Sequence, residues 1–193
     1  MAGPSPATNG QEGMRVMSST VRGFSARRAE TAVPGSLRLR PMTGADVAEG
    51  VRLLAQLGYA VAEDELAQRL RDVLSTPGHA VLMAISGARI AGVMHVFVRP
   101  AIENPREAVV QAIVVDKAHR RAGVGRCLMK AAEHFGRERD CRSVVLSSNV
   151  TRAPAHAFYA SLGYRVSATS CIFRKPLQPF AGPAPAINEP ATR

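Results

Sequence analysis

The sequence predicts a mixed α/β fold in which one sheet carries helices on both faces. Three observations predict it. Short apolar runs interleave with amphipathic helical stretches from Leu37 to Leu177. One of those runs, Val109 to Val115, is apolar on both faces apart from Gln111, as expected of a central strand. A helix with a clean apolar stripe follows it.

The elements follow in chain order. Leu37-Arg38-Leu39-Arg40 alternates and predicts a first strand. Thr43 opens a helix with Asp46 placed to return a capping interaction, and Val47, Val51 and Leu54 share a face. A second helix covers Glu63 to Leu74, with Leu66, Leu70, Val73 and Leu74 at helical spacing, and Thr76-Pro77-Gly78 ends it. Ala80 to Ile85 and Ile90 to Arg99 form two strands about the turn Ser86-Gly87-Ala88-Arg89. After the Val109 to Val115 strand, a helix runs from about Gly123 to Arg139, its stripe being Val124, Cys127, Leu128, Ala131, Ala132 and Phe135. Val144 to Ser147 is a further buried strand, Ala153 to Leu162 a short helix closed by Gly163, and Ile172 to Leu177 a last strand. Residues 1–36 and 178–193 are rich in Ala, Pro, Gly, Ser and Thr and lack a core-forming period. They read as a disordered extension and a flexible tail around a folded unit at 37–177.

Composition narrows the function. The 193 residues carry a formal net charge of +10, with 46% apolar and 21% charged side chains. The positive charge is spread as scattered arginines, and no aromatics interleave with the basic clusters as on a base-stacking platform. Nucleic acid is therefore not the expected partner. No apolar run approaches the roughly 20 residues of a spanning helix, so neither is a membrane. Cys127, Cys141 and Cys171 are odd in number and lack metal-ligand spacing. Neither a disulfide framework nor a metal site is indicated, and the expected compartment is the reducing cytoplasm.

The informative stretch is Val114-Val115-Asp116-Lys117-Ala118-His119-Arg120-Arg121-Ala122-Gly123-Val124-Gly125-Arg126. A buried strand ends, a basic glycine-containing loop turns, and an amphipathic helix begins. Backbone amides at a helix start, with the helix dipole behind them, suit a phosphate. Arg120, Arg121 and Arg126 add positive charge, and Gly123 and Gly125 permit close backbone approach. No Gly-Lys-Ser/Thr follows, so this is not a nucleoside-triphosphate loop, and the dinucleotide glycine spacing is wrong.

Arg120-x-x-Gly123-x-Gly125 resembles the R/Q-x-x-G-x-G/A motif of the GNAT superfamily of acetyl-CoA-dependent N-acetyltransferases. Ala155-His156-Ala157-Phe158-Tyr159-Ala160-Ser161-Leu162-Gly163-Tyr164 is similar to that family's A-x-x-F/L-Y-x-x-x-G-F/Y ending, in the form seen in aminoalkylphosphonate acetyltransferases. The matching elements run in order across Leu37 to Leu177. The resemblance implies a mostly antiparallel sheet whose two central strands splay apart. It implies acetyl-CoA as co-substrate, held by the strand edge at Ile113, Val114 and Val115 and by the loop Arg120, Arg121, Ala122, Gly123, Val124, Gly125 and Arg126.

It also implies Tyr159 as the proton donor to the departing thiolate, the alternative being a tyrosine that only packs its ring. Arg152 stands where many relatives carry Asn, and is the candidate for holding an anionic group of the substrate. Many relatives carry a glutamate on the central strand, where this chain has Gln111-Ala112. The remaining candidates for a base are Glu107, His95 and a water chain near Ser147. The function so implied is acetyl transfer to a primary amine, of a small molecule in the first instance, by direct attack in a ternary complex. A protein N-terminus or lysine, an aminoglycoside, and a non-catalytic acyl-CoA-binding module are the alternatives. The acceptor would be selected by the first two helices, the Pro100 to Arg106 loop and the end of the chain. Assembly as a homodimer stays open.

Overall fold

The computed structural model describes residues 37–177; both terminal segments, with the disorder expected of them, lie outside the described residues. Strand β1 (Leu37–Pro41) leads through a 3-10 turn at Gly44–Asp46 into helix α1 (Val47–Ala55), followed by α2 (Glu63–Ser75). Then come β2 (His79–Ser86), β3 (Arg89–Arg99), β4 (Glu107–Val115), α3 (Val124–Arg137), β5 (Ser143–Leu146) and α4 (Ala153–Ser161). The five strands lie in chain order in one sheet; all neighbours are antiparallel except β4 and β5, which are parallel.

Each face of the sheet holds its own core. On one face Leu82, Met94, Val96, Ala108 and Val110 pack against Val124, Leu128, Ala132 and Phe135 of α3. On the other, Val81, Met83, Val93 and Val114 pack against Val47 and Leu53 of α1 and Leu70 of α2. Strand side chains alternate faces, so Ala108, Val110 and Val114 would share one face of an unbroken β4. They do not, because a bulge intervenes: His95 pairs with Ala112 and Val96 with Val110, which leaves Gln111 as the extra residue. One inserted residue swaps the faces of everything after it. Ile113 and Val115 thereby join the α3 side and Val114 the α1/α2 side.

Two expectations need correction. Residues 172–177 form no strand, and Ile172, Phe173 and Leu177 are exposed. Ile172, Phe173 and Leu177 are apolar, but among the described residues β5 pairs only with β4 and takes up no further strand. In α1 the buried line is Val47, Gly50 and Leu53 rather than Val47, Val51 and Leu54, and in α2 Leu74 is exposed. Gly50 rotates the α1 face, because a Cβ there would lie 2.6 Å from the Met42 methyl, so the helix presses closest at its smallest residue. The predicted cap is present: the Thr43 amide (2.8 Å) and hydroxyl (2.9 Å) both donate to Asp46, which also pairs with Arg40.

Candidate active site

The site lies where β4 and β5 part. Their pairing covers Glu107 to Val110 against Ser143 to Leu146 and then stops. From Gln111 to Val115 the β5-facing edge of β4 has no strand partner among the described residues. Those backbone groups stay available for an extended ligand, as at any open sheet edge. A cavity of about 100 Å³ opens beside the divergence, walled by Gln111, Ala112 and Ile113 of β4, Leu146 of β5 and Ser147 just after it, Tyr159 of α4 and Arg152 at its N-cap, and Leu57 and Tyr59 after α1.

At the far end of β4 the chain turns sharply into α3. Arg121 (φ 64°) and Gly123 (φ 80°) both take left-handed conformations. No side chain caps α3, whose first helical bond runs from the Cys127 amide to the Gly123 carbonyl at 3.0 Å. The first-turn amides therefore face outward with no side-chain acceptor, beside the exposed Arg120, Arg121 and Arg126. Uncapped amides, a helix dipole and three guanidiniums together suit a phosphate-bearing ligand. Gly125 has a further role that the sequence does not announce: a Cβ there would meet the Phe158 ring at 3.0 Å. Its smallness thus lets α4 pack on the start of α3.

A buried carboxylate anchors this turn. The Asp116 amide donates to Ala91 of β3 (2.9 Å) and its carboxylate accepts from the Ala118 amide (2.8 Å). Arg52 and Gln56, one turn apart on α1, also donate to it, and the Lys117 amide donates back to Gln56 at 2.9 Å. The Arg52 guanidinium, followed by the Ala118 amide, holds the Asp116 carboxyl well below the usual range. This cluster joins residues some 60 apart in sequence, and no local pattern could have indicated it.

Helix α4 is closed by Gly163 (φ 89°), with the Tyr164 amide bonded to the Tyr159 carbonyl (3.1 Å) and the Gly163 amide to Ala160 (3.0 Å). These two bonds form a Schellman ending. The spacing from Tyr159 to Gly163 is thus the length of one helix terminus. Tyr159 packs against Phe158 and Tyr164, with ring centroids 5.3 and 6.3 Å away, and the residue lines the cavity wall. Burial raises its pKa, and nearby Arg152 partly offsets that. His156 is half-buried and does not line the cavity.

The structure brings Ile113, Arg152 and Tyr159 together, with the basic loop one strand-end away. Val114 is 4% exposed and packs into the α1/α2 core, so only its backbone faces the divergence. Of the candidate bases, Glu107 is bound by Arg99 (2.5 Å) and Ser143 (3.0 Å), with its pKa lowered chiefly by Arg99. His95 is hydrogen-bonded to His79 at 3.0 Å and does not line the cavity. Of the three, only Ser147 does. Leu57 and Tyr59 are wall residues that sequence reasoning missed; the only local signal is the Gly58 turn that ends α1.

A β4–β5 divergence with a glycine-containing basic loop at its end defines an acyl-transfer fold, and comparison with known proteins agrees. The model of the Acetyltransferase (GNAT) family matches residues 49–164. The chain belongs to that family and is an acyltransferase. An aminoglycoside N(6')-acetyltransferase type 1 from Stenotrophomonas maltophilia is 26% identical over 74% of this chain and 95% of its own length. Among solved structures, a transcriptional regulator from Bacillus halodurans superposes with a TM-score of 0.67 at 20% identity, covering 72% of this chain and all of that one. The aminoglycoside acetyltransferase AAC(6')-Iy, bound to a CoA bisubstrate analogue, gives 0.66 at 17%, covering 73% and 99%. At these identities the structures share the fold. Among the described residues no helix is long and apolar enough to cross a membrane, and no cluster of metal-ligating side chains occurs.

Proposed function

We propose that this protein transfers the acetyl group of acetyl-CoA to the primary amine of a small molecule, by direct attack within a ternary complex. The observation that carries this reading is the divergence itself. The cavity at Tyr159 borders the open β4 edge at Gln111 to Ile113, and the chain runs on from that edge through Val115 and the basic loop to the uncapped α3 start. The diphosphate of CoA suits the α3 start, and the amides of its pantetheine arm suit the strand edge, as an added strand would. The two contacts direct the thioester toward the cavity.

The chemistry then needs few groups. A neutral amine nitrogen bonds to the acetyl carbon, the carbon–sulfur bond breaks, and the electron pair leaves on sulfur. The Tyr159 hydroxyl protonates that sulfur, and the proton released by the new amide nitrogen restores the tyrosine. No carboxylate lines the cavity among the described residues, so the amine loses its first proton to water before attack. Free-thiol release from acetyl-CoA across a panel of amines tests the reading. Tight calorimetric binding of acetyl-CoA with no thiol release from any amine would leave only an acyl-CoA-binding module.

A further inference from the structure

The proton donor proposed above is itself held from α3. We infer that Tyr164 and Glu133 are positioning residues for Tyr159, which aim its hydroxyl at the departing sulfur. This inference rests on the transferase reading above and adds two residues to its mechanism.

The Tyr159 hydroxyl makes no hydrogen bond among the described residues, so the direction of its ring is set by packing. Two rings flank it, Phe158 at 5.3 Å and Tyr164 at 6.3 Å between centroids, the second edge-on. Both belong to residues that α3 fixes. Phe158 lies against Gly125 in the first turn of α3, where a Cβ would already be 3.0 Å from the ring. Tyr164 donates its hydroxyl to Glu133 Oε1 at 3.2 Å, about 12 Å further along the same helix. The other oxygen of that carboxylate, Oε2, accepts from Arg137 at 3.4 Å, so Glu133 is tied on both sides.

The backbone repeats the connection. The Tyr164 amide donates to the Tyr159 carbonyl at 3.1 Å, across the left-handed Gly163. Residue 164 thus holds residue 159 through the main chain and through a ring edge, and Glu133 holds residue 164. Burial, and after it the Glu133 charge, push the Tyr164 hydroxyl above its ordinary pKa, so it stays a donor throughout the neutral range. A hydrogen bond to a carboxylate is directional and among the stronger kinds, which suits a strut. Helix α3 also begins at the uncapped amides proposed for the diphosphate, so one rigid element references both the cofactor and the donor. Without the strut the Tyr159 ring would rest on Phe158 alone. A displacement of about 1 Å can cost about 100-fold in rate, so even a small swing of that ring matters.

The test measures thiol release from acetyl-CoA by the full chain, with β-alaninamide, 2-aminoethylphosphonate and sisomicin as probe amines and the fastest of them carried forward. Tyr164→Phe removes the hydroxyl of the strut and keeps its ring. It should lower kcat about tenfold, with KM for the amine and calorimetric acetyl-CoA affinity within about twofold of wild type. Glu133→Met should match it, and Glu133→Gln, whose amide oxygen still accepts, should recover most of the loss. Melting temperatures confirm that each variant folds. The separating arm is the Tyr159→Phe background, in which Tyr164→Phe should lower kcat less than about twofold, because no hydroxyl is left to aim. The same fall in both backgrounds, no fall in either, or a fall carried by KM or acetyl-CoA affinity overturns the inference and leaves the transferase intact. Absence of thiol release with every amine, in a chain that binds acetyl-CoA, overturns both.

Discussion

Removal of one oxygen atom, in Tyr159→Phe, separates chemistry from packing at this site. The ring keeps its neighbours, Phe158 at 5.3 Å and Tyr164 at 6.3 Å, so the fold should lose under about 1 kcal/mol. Burial raises the hydroxyl above its ordinary pKa, so the proton is present throughout the neutral range and the full donor is lost on substitution. General acids contribute about 10²–10⁴-fold. A thiolate, with a parent pKa of about 8.5, leaves without full protonation, which favours the lower end. The expected fall in kcat is thus about 100-fold, equivalent to about 2.7 kcal/mol of barrier. Acetyl-CoA affinity should barely move, since the proposed cofactor contacts do not involve the hydroxyl. Steady-state thiol release with saturating acetyl-CoA measures the first quantity, and calorimetry the second. In wild type any alkaline loss of rate should begin above about pH 10, and the Tyr159→Phe variant has no such limb to lose. Turnover within about threefold of wild type, well short of the range for a general acid, would show that the tyrosine only packs and that water protonates the sulfur.

The other perturbations are simpler. Gly123→Ala meets no atom within 4 Å but must hold φ near 80°, so it should cost about 1–2 kcal/mol in urea unfolding and weaken acetyl-CoA binding about tenfold. Gln56→Ala removes the acceptor of the Lys117 amide. In hydrogen exchange, acetyl-CoA should protect both the 119–126 loop and residues 57–59 in wild type, but only the loop in the variant. His95 is pushed down to about pKa 4 by burial and, secondarily, by His79. The unfolded chain therefore takes up a proton that the native state refuses between about pH 6.5 and 4. Stability should be complete above about pH 6.5 and fall by about 1–2 kcal/mol toward pH 4, after allowance for solvent screening. Denaturant titrations of wild type and His95→Gln should diverge in that window and coincide if the histidine is not buried neutral.

The legible parts of this fold were those written in local periodicity. The stripe from Val124 to Phe135 and the apolar runs of β2 and β3 about the turn at Gly87 are local signals, and their elements appear within about two residues of expectation. The bulge at Gln111 was visible only as one polar residue in an apolar strand; its consequence, the exchange of faces after it, depends on the register with β3. At 172–177 the apolar residues Ile172, Phe173 and Leu177 misled, because a strand needs a neighbour as well as apolar side chains and none is seated there among the described residues. In the site, the loop and the Tyr159-to-Gly163 spacing were readable because each is a helix terminus with its own local chemistry. Leu57, Tyr59 and the Arg52–Asp116 pair were not, because tertiary packing alone places them.

That non-local cluster explains why α1 belongs to the site at all. Gln56 binds both Asp116 and the Lys117 amide, and so fixes the point from which the basic loop departs. The next residues, Leu57 to Tyr59, turn at Gly58 and form the cavity wall beside Tyr159. The Leu57 and Tyr59 amides both donate to Leu54, so this wall is an extension of the helix end. Whatever firms the loop therefore bears on Gln56, and through it on the wall, over a short path along the chain. Any such coupling must be reciprocal, so a ligand that orders the wall must tighten the loop by the same free energy. Changes in the short α1–α2 connection would thus reshape the cavity wall while Asp116 keeps the basic turn in place.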